Sequence, residues 1–199
     1  MDLLSGKGFN MNFKDYALEY INKTKDVDMS DSYEFFLKYV STKGKLLDIG
    51  FGSGRDMLYF KSIGFEVEGI DPEPVFFNEA IKIGLNVNCF AIDDCYDEFD
   101  MYDYIWACAS MHHIPKEMLN QDFKICNNLL KHNGIMYCSF KYGDFEGIID
   151  NMYYVYLTEK TILEYLKDTN FKILDIKITN DKLNRDIKWL NVILKKVEL

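Results

Sequence analysis

LLDIGFGSGRD, residues 46–56, decides how this chain is read. An apolar run ends in Asp48, then Gly50, Gly52 and Gly54 alternate, and a helical pattern begins at Asp56. Strand, glycine turn and helix start, in that order, form the place where α/β proteins hold an anionic or zwitterionic cofactor. Glycine suits such a turn because a Cβ would block close approach of a ligand to the backbone.

Elements of the same kind run outward from this stretch. Before it, FKDYALEYIN (13–22) puts Phe13, Ala17, Tyr20 and Ile21 on one helical face. Ser30 or Asp31 can cap a second helix through Tyr39. After it, a helix runs to Ile63 and ends at Gly64, and FEVEGID (65–71) alternates as a second strand. Pro72 and Pro74 stand at the entrance of the next helix, where missing amides cost little. NVNCFAI (86–92) reads as a third strand and is followed by the acidic loop DDCYDEFD. YDYIWACAS (102–110) is a nearly continuous apolar fourth strand, as expected in a parallel sheet covered on both faces. A helix from Lys116 to Lys131, the turn HNG and the strand GIMYCSFKY follow. Residues 143–157 are aromatic without a clear period and read as a loop. TEKTILEYLKDT (158–169) reads as a helix whose Thr158 lacks the Glu of a full capping box. FKILDIKIT and IKWLNVILKKV are two closing strands joined by NDKLNRD. The pattern is a doubly wound α/β sheet with an antiparallel final strand, in one domain over 1–199. Residues 1–43 form a helical segment serving as lid or substrate region, and 44–199 the core.

Composition narrows the partners. Apolar residues make up 48% and charged residues 28%, an ordinary globular balance. The formal charge of −9 speaks against a phosphate-backbone partner, which needs clustered Lys and Arg. Cys89, Cys95, Cys108, Cys126 and Cys138 include no CxxC pair, and their odd number without a secretory signal in MDLLSGKGFN fits a reducing cytosol. No apolar run reaches the ~18 residues of a membrane span. The expectation is a cytoplasmic protein with no membrane partner and no metal, its oligomeric state open.

GxGxG is not the GxGxxG of dinucleotide sites, since Arg55 stands where the third glycine of that pattern falls. Asp71 closes the second strand about 20 residues after Gly50, where a carboxylate can accept from a ribose diol. That much serves NAD, FAD or S-adenosylmethionine equally. The succession LLDIGFGSGRD, GIDPEP, the acidic turn after NCFAI, YDYIWACASMHHIP and LLKHNGIMYCSFKYG resembles the motifs of class I S-adenosylmethionine-dependent methyltransferases. The likeness covers roughly residues 30–143 and is strongest to small bacterial members of the tellurite-resistance and small-molecule type.

The resemblance implies a Rossmann-like seven-stranded sheet with helices on both faces, S-adenosyl-L-methionine as cofactor and S-adenosyl-L-homocysteine as product. It implies that Asp48 and the backbone of Gly50, Gly52 and Gly54 hold the methionine half, and that Asp71 takes the ribose hydroxyls. Asp93, or else Asp94, accepts from the adenine amino group while Ile92 packs on the ring. The strand end at Ala107 and Cys108 offers a carbonyl to the ammonium, and Arg55 can meet the carboxylate. Phe51 replaces the small residue that relatives often carry and is expected to pack inward.

The acceptor is less legible. His113, with His112, follows the fourth strand, where such sheets bind ligands, and could serve as base or hydrogen-bonding group. Two adjacent His without further spaced ligands do not make a metal site. Lys141 and Tyr142 emerge on the same side, Lys141 as an anchor for an anionic group. Tyr16, Tyr20, Met29, Tyr153 and Tyr154 could form an aromatic lid. The [DNS]PP[YF] motif of amino-methylating enzymes and the Pro-Cys motif of cytosine-C5 enzymes are both missing. The leading expectation is therefore methyl transfer to a small molecule. A non-catalytic S-adenosylmethionine or nucleotide-binding protein, a macromolecular methyltransferase and a nicotinamide oxidoreductase are the alternatives.

Overall fold

The computed structural model describes residues 13–197, so the reading of MDLLSGKGFN lies outside the described residues. Two helices, α1 (Phe13–Thr24) and α2 (Ser30–Leu37), precede the sheet. Neither Ser30 nor Asp31 caps α2. The Asp28 carboxylate accepts the Ser30 amide at 2.9 Å instead, and Met29 occupies the cap position.

Five strands then alternate with helices: β1 (Lys45–Ile49), α3 (Arg55–Ser62), β2 (Glu66–Ile70), α4 (Pro74–Lys82), β3 (Val87–Asn88), β4 (Tyr102–Ala107), α5 (Lys116–Leu129) and β5 (Leu130–Tyr142). The third strand is far shorter than 86–92, because Ile92–Cys95 turn into a 3-10 helix. The HNG turn survives inside β5 as a break in register, with Asn133 in the left-handed region at φ 62°. Strands β1 to β5 are parallel neighbours in the order β3-β2-β1-β4-β5.

The chain closes with β8 (Phe171–Asn180) and β9 (Lys188–Lys196), and β9 lies antiparallel between β5 and β8. This is the expected Rossmann-like seven-stranded core with its antiparallel last strand. The stretch read as a loop is instead a hairpin, β6 (Glu146–Ile149) and β7 (Met152–Leu157). Its turn is Asp150-Asn151, both at positive φ (51° and 64°), the left-handed pair of tight hairpin turns. The helix read over 158–169 shrinks to α6 (Ile162–Tyr165). Its entrance is nevertheless boxed: the Thr158 amide donates to Thr161 Oγ1 at 2.8 Å and the Thr161 amide to Thr158 Oγ1 at 3.2 Å.

Strand alternation divides the core. Leu46, Tyr104, Trp106, Tyr137 and Ile193 face α2 and α3, while Leu47, Ile105, Met136, Cys138 and Val192 face α5. Each such side chain contributes about 1.5–3 kcal/mol by burial. Phe51 packs inward as expected, with Met57, Ala80 and Leu85. Gly69 makes the room: a Cβ there would stand 2.8 Å from the Phe51 ring and 2.6 Å from Met57 Sδ.

β7 positions the site. β4 ends at Ala107, opposite Cys138, but β5 runs on to Tyr142. Lys141 and Tyr142 then pair with Tyr156 and Leu157, while β9 already holds the other edge through Lys141 and Trp189. The hairpin therefore takes the edge that β4 leaves and stands over the segment after β4. Among the described residues no helix is long and apolar enough to cross a membrane.

Candidate active site

The glycine turn has the backbone its sequence demands. Gly50, Gly52 and Gly54 lie at φ 71°, 50° and 74°, where a side chain is strained. A Cβ on Gly50 would stand 2.4 Å from Ser110 Cβ, so the turn also packs against the end of β4. The Gly52 amide donates to Asp71 Oδ2 at 3.1 Å and the Glu73 amide to Asp71 Oδ1 at 2.9 Å, tying the turn to the end of β2. Burial lifts the Asp71 carboxyl to about 6 against the pull of those two amides. Asp48 is buried and its Oδ2 has no hydrogen-bond partner among the described residues. Burial, then the Asp56 charge, hold its carboxyl well above the usual carboxylate range, with Arg55 opposing.

Asp56 is the joint of this side and was not foreseen. Its carboxylate accepts from Tyr33 Oη (2.6 Å), Trp106 Nε1 (2.9 Å), and Arg55 Nε (2.6 Å) and Nη2 (2.9 Å). Arg55 Nη1 donates to the Thr24 carbonyl at 3.2 Å. Arg55 is thus forked onto its own neighbour rather than held out for a ligand carboxylate, which corrects the expectation. Burial opposes its charge, and Asp56 overcomes this and raises it above the ordinary value.

At the end of β3, Asp94 accepts the Ala91 amide at 2.9 Å and closes the 3-10 turn, which leaves Asp93 exposed with its carboxylate outward. Ile92 packs in the core with 5% of its surface exposed, so it offers a ring little more than an edge. Ala107 is fully buried; Cys108 and Ala109 line a cavity beyond it. Burial pushes the Cys108 thiol up to about 12, so it is no thiolate nucleophile.

That cavity has a volume of about 480 Å³. Tyr16 and Tyr20 line it from α1, His112 and His113 from the turn after β4, Lys141 from β5, Tyr154 from β7, Arg185 from the β8–β9 connection and Trp189 from β9. His113 Nδ1 lies 2.8 Å from the Tyr153 carbonyl. A carbonyl only accepts, so Nδ1 carries the proton and Nε2 keeps its lone pair. Burial holds the His113 imidazole below its ordinary range, with the Tyr153 bond opposing, so it is neutral near pH 7. His112 is more deeply buried, stacked on Tyr154 (5.5 Å, 11°) with Trp189 edge-on (5.4 Å), and burial pushes it further down.

Strand pleat sorts the other expectations. Lys141 faces the cavity with Nζ 3.4 Å from the Tyr154 ring centroid. Tyr142 points the other way, to Glu159 at 3.0 Å, and does not line the cavity. Tyr153 likewise turns out to Glu146, giving the cavity side only its carbonyl, while Tyr154 enters. The expected substrate contacts of Tyr142 and Tyr153 are corrected accordingly. Asp181, Arg185 and Trp189 were missed. Asp181 accepts from Arg185 Nε (2.9 Å) and Nη2 (2.6 Å) and from Trp189 Nε1 (2.8 Å). Despite its burial these bonds bring its carboxyl down to about 2. The i,i+4 spacing of Asp181 and Arg185 was the available signal.

Strand order and glycine turn define a Rossmann-like enzyme that binds its cofactor at the C-terminal ends of parallel strands. Residues 21–176 match the family model described as a methyltransferase domain, and the chain belongs to that family. An uncharacterised methyltransferase of Staphylococcus carnosus is 27% identical over 208 residues, 92% of this chain and 97% of the relative. The 1,6-didemethyltoxoflavin-N1-methyltransferase of Burkholderia thailandensis, solved with 1,6-didemethyltoxoflavin and S-adenosylhomocysteine, superposes with a TM-score of 0.75. It is 19% identical, over 94% of this chain and 88% of that one. An S-adenosylmethionine-dependent methyltransferase from Methanosarcina mazei gives 0.69 at 18% identity, over 84% and 99%. The enzyme is an S-adenosylmethionine-dependent methyltransferase. The residues present suit that cofactor: a buried carboxyl oxygen without a partner on Asp48 and a glycine cradle beside it fit a ligand with sulfonium and ammonium charges.

Proposed function

We propose that this methyltransferase acts on a small molecule taken into the cavity beyond β4 and β5. The single observation that carries the reading is the 480 Å³ ring-walled cavity with His113 on its wall. Its size falls in the range of small-molecule sites. Asp48 and the glycine-turn backbone hold the methionine half of the cofactor, Asp71 the ribose diol and Asp93 the adenine amino group, with the Ala107–Cys108 carbonyls turned to the ammonium. α1, through Tyr16 and Tyr20, is the lid over both ligands.

S-adenosylmethionine supplies a methyl group on a sulfonium, whose carbon–sulfur bond breaks with its electron pair left on sulfur. The cavity walls hold the acceptor in line with that bond, and loss of freedom in the acceptor is the main source of rate. Where the accepting atom carries a proton, His113 Nε2 takes it while the Tyr153 carbonyl keeps the ring oriented through Nδ1. Burial keeps the imidazole neutral and able to accept.

Incubation with methyl-labelled S-adenosylmethionine and separated cell-extract fractions tests the reading. Label is expected in the low-molecular-mass fraction. Label only in protein or nucleic acid overturns it, and intact cofactor binding without transfer to any fraction points to a non-catalytic binding protein.

A further inference from the structure

The acceptor side carries a cation without a counterion. Lys141 is 94% buried by its 6% exposure, yet no carboxylate forms an ion pair with it among the described residues. Its ammonium rests on the Tyr154 ring at 3.4 Å and near Tyr156 at 5.5 Å. The nearby carboxylate that could neutralise it, Asp181, is already engaged by Arg185, by Trp189 Nε1 and by the Leu183 amide at 2.9 Å. The other cations on the wall have partners: Lys23 pairs with Glu19, Lys182 with Asp31 and Arg55 with Asp56. Asp150, in the exposed turn of the hairpin, also lines the cavity but forms no ion pair with Lys141, so the buried ammonium has carboxylates near it and none in contact.

An unpaired buried charge is unfavourable unless a ligand completes it. A tyrosine face partly offsets this for an ammonium, through its ring quadrupole. Burial first, and then the Arg185 charge, bring Lys141 down to about 8, so it stays largely protonated at pH 7. The walls around it are flat: Tyr16, Tyr20 and Trp189 are ring surfaces, and Met29 and Met152 supply thioethers that adapt to a planar guest.

Resting on the small-molecule reading above, we propose that the acceptor is an aromatic or heteroaromatic acid whose carboxylate seats on Lys141 and Arg185. Its ring lies among Tyr16, Tyr20 and Trp189, and the atom to be methylated, a ring hydroxyl or ring nitrogen, lies toward His113. The anionic anchor sets which end enters, and the His113 side sets which atom meets the methyl group.

Calorimetry on the S-adenosylhomocysteine-saturated protein tests this with matched probes: 4-hydroxybenzoate against 4-hydroxybenzamide, and indole-3-carboxylate against indole-3-carboxamide. The acids are expected to bind about tenfold or more tighter than the amides, the difference between charge-assisted and neutral hydrogen bonds. Lys141→Met should bring each pair together while the affinity for S-adenosylhomocysteine stays as it was, and Lys141→Arg should keep the preference. Cyclohexanecarboxylate should bind more weakly than either aromatic acid. Equal binding of acid and amide to the natural protein, or a preference that survives in Lys141→Met, overturns the anionic anchor and leaves the small-molecule reading standing. Failure of every probe to bind overturns the aromatic-acid acceptor, while the small-molecule reading stands or falls by where the methyl label is found.

Discussion

The glycine turn and the cavity, which we propose as the cofactor side and the acceptor side, meet at the ends of β1 and β4 but are made in opposite ways. On the cofactor side, positive φ falls on glycine at all three positions of the turn, and the polar groups are the carboxyls of Asp48, Asp56 and Asp71, with Arg55 paired to Asp56. On the acceptor side, positive φ falls at Ala109 (53°), a residue that strains there, and the uncompensated charge is the ammonium of Lys141. One side is a contiguous stretch of backbone and the other is assembled from side chains of α1, β5, β7 and the β8–β9 turn. A cradle of carboxyl groups beside a cavity that buries an ammonium without an ion-pair partner suits a cationic donor and an anionic acceptor.

Asp56 ties the glycine-turn helix to α2 and β4, because Arg55, Tyr33 and Trp106 all donate to it. The largest expected effect is therefore Asp56→Ala, which leaves a buried guanidinium unpaired and two ring donors without an acceptor. Urea unfolding should record a loss of about 3–5 kcal/mol. A loss under about 1 kcal/mol would mean that the network contributes little and that the two sides fold independently of it.

Next in size, His113→Ala should lower kcat by about a hundredfold with the true acceptor, the lower end of general-base contributions. The affinity for S-adenosylhomocysteine, read by calorimetry, should hold. Unchanged turnover would reduce His113 to a hydrogen bond that pins β7.

The contrast also explains what the residues revealed before folding. Residues 46–56 disclose the cofactor side because its atoms are consecutive backbone, and Asp71 and Asp93 recur at successive strand ends. The acceptor side depends on register. Lys141 meets Trp189 only because β9 inserts antiparallel beside β5, and Tyr154 rather than Tyr153 enters only because of the phase of β7. The hairpin itself was hidden because MYYVYL carries tyrosine on both faces, which erases the alternation that marks a strand. Asp150-Asn151 was its legible trace. Arg55 was misjudged because bonding between adjacent residues has no periodic signal.

Asp71→Ala breaks the comparison from the cofactor side. It should weaken S-adenosylhomocysteine binding by ~1.5–3 kcal/mol, the scale of hydrogen bonds to a charged acceptor. The pH dependence follows from the same group. Its carboxyl is raised to about 6 by burial, so the ionised form, the one able to accept two ribose hydroxyls as proposed, is present above about pH 6 and is lost as pH falls through it. Affinity should decline below about pH 6 in the natural protein, and Asp71→Asn should flatten that decline. For folding the sign is opposite: a carboxylate raised in the folded state weakens stability as pH rises from the usual carboxylate value toward 6. An affinity profile unchanged by Asp71→Asn would remove Asp71 from the ribose site.

Ala109→Gly has the smallest expected effect and tests whether the acceptor side stores strain that the cofactor side avoids. The left-handed region disfavours an L-residue by roughly 1–2 kcal/mol. Glycine removes that term but loosens the unfolded chain by about 0.4–1 kcal/mol, so the net gain should lie between about zero and about 1.6 kcal/mol. In a chain of this length each kcal/mol raises Tm by about 2–4 °C. The Ala109 amide donates to Ser139 Oγ at 2.8 Å, so the turn geometry is held from β5 and survives the substitution. A fall in Tm would show that the turn is unstrained with alanine, because the entropy of the added glycine would then be the only change the fold registers. A rise would mean that the strand end after Cys108 is held in place against its own preference, by β5 on one side and the His112–His113 turn on the other.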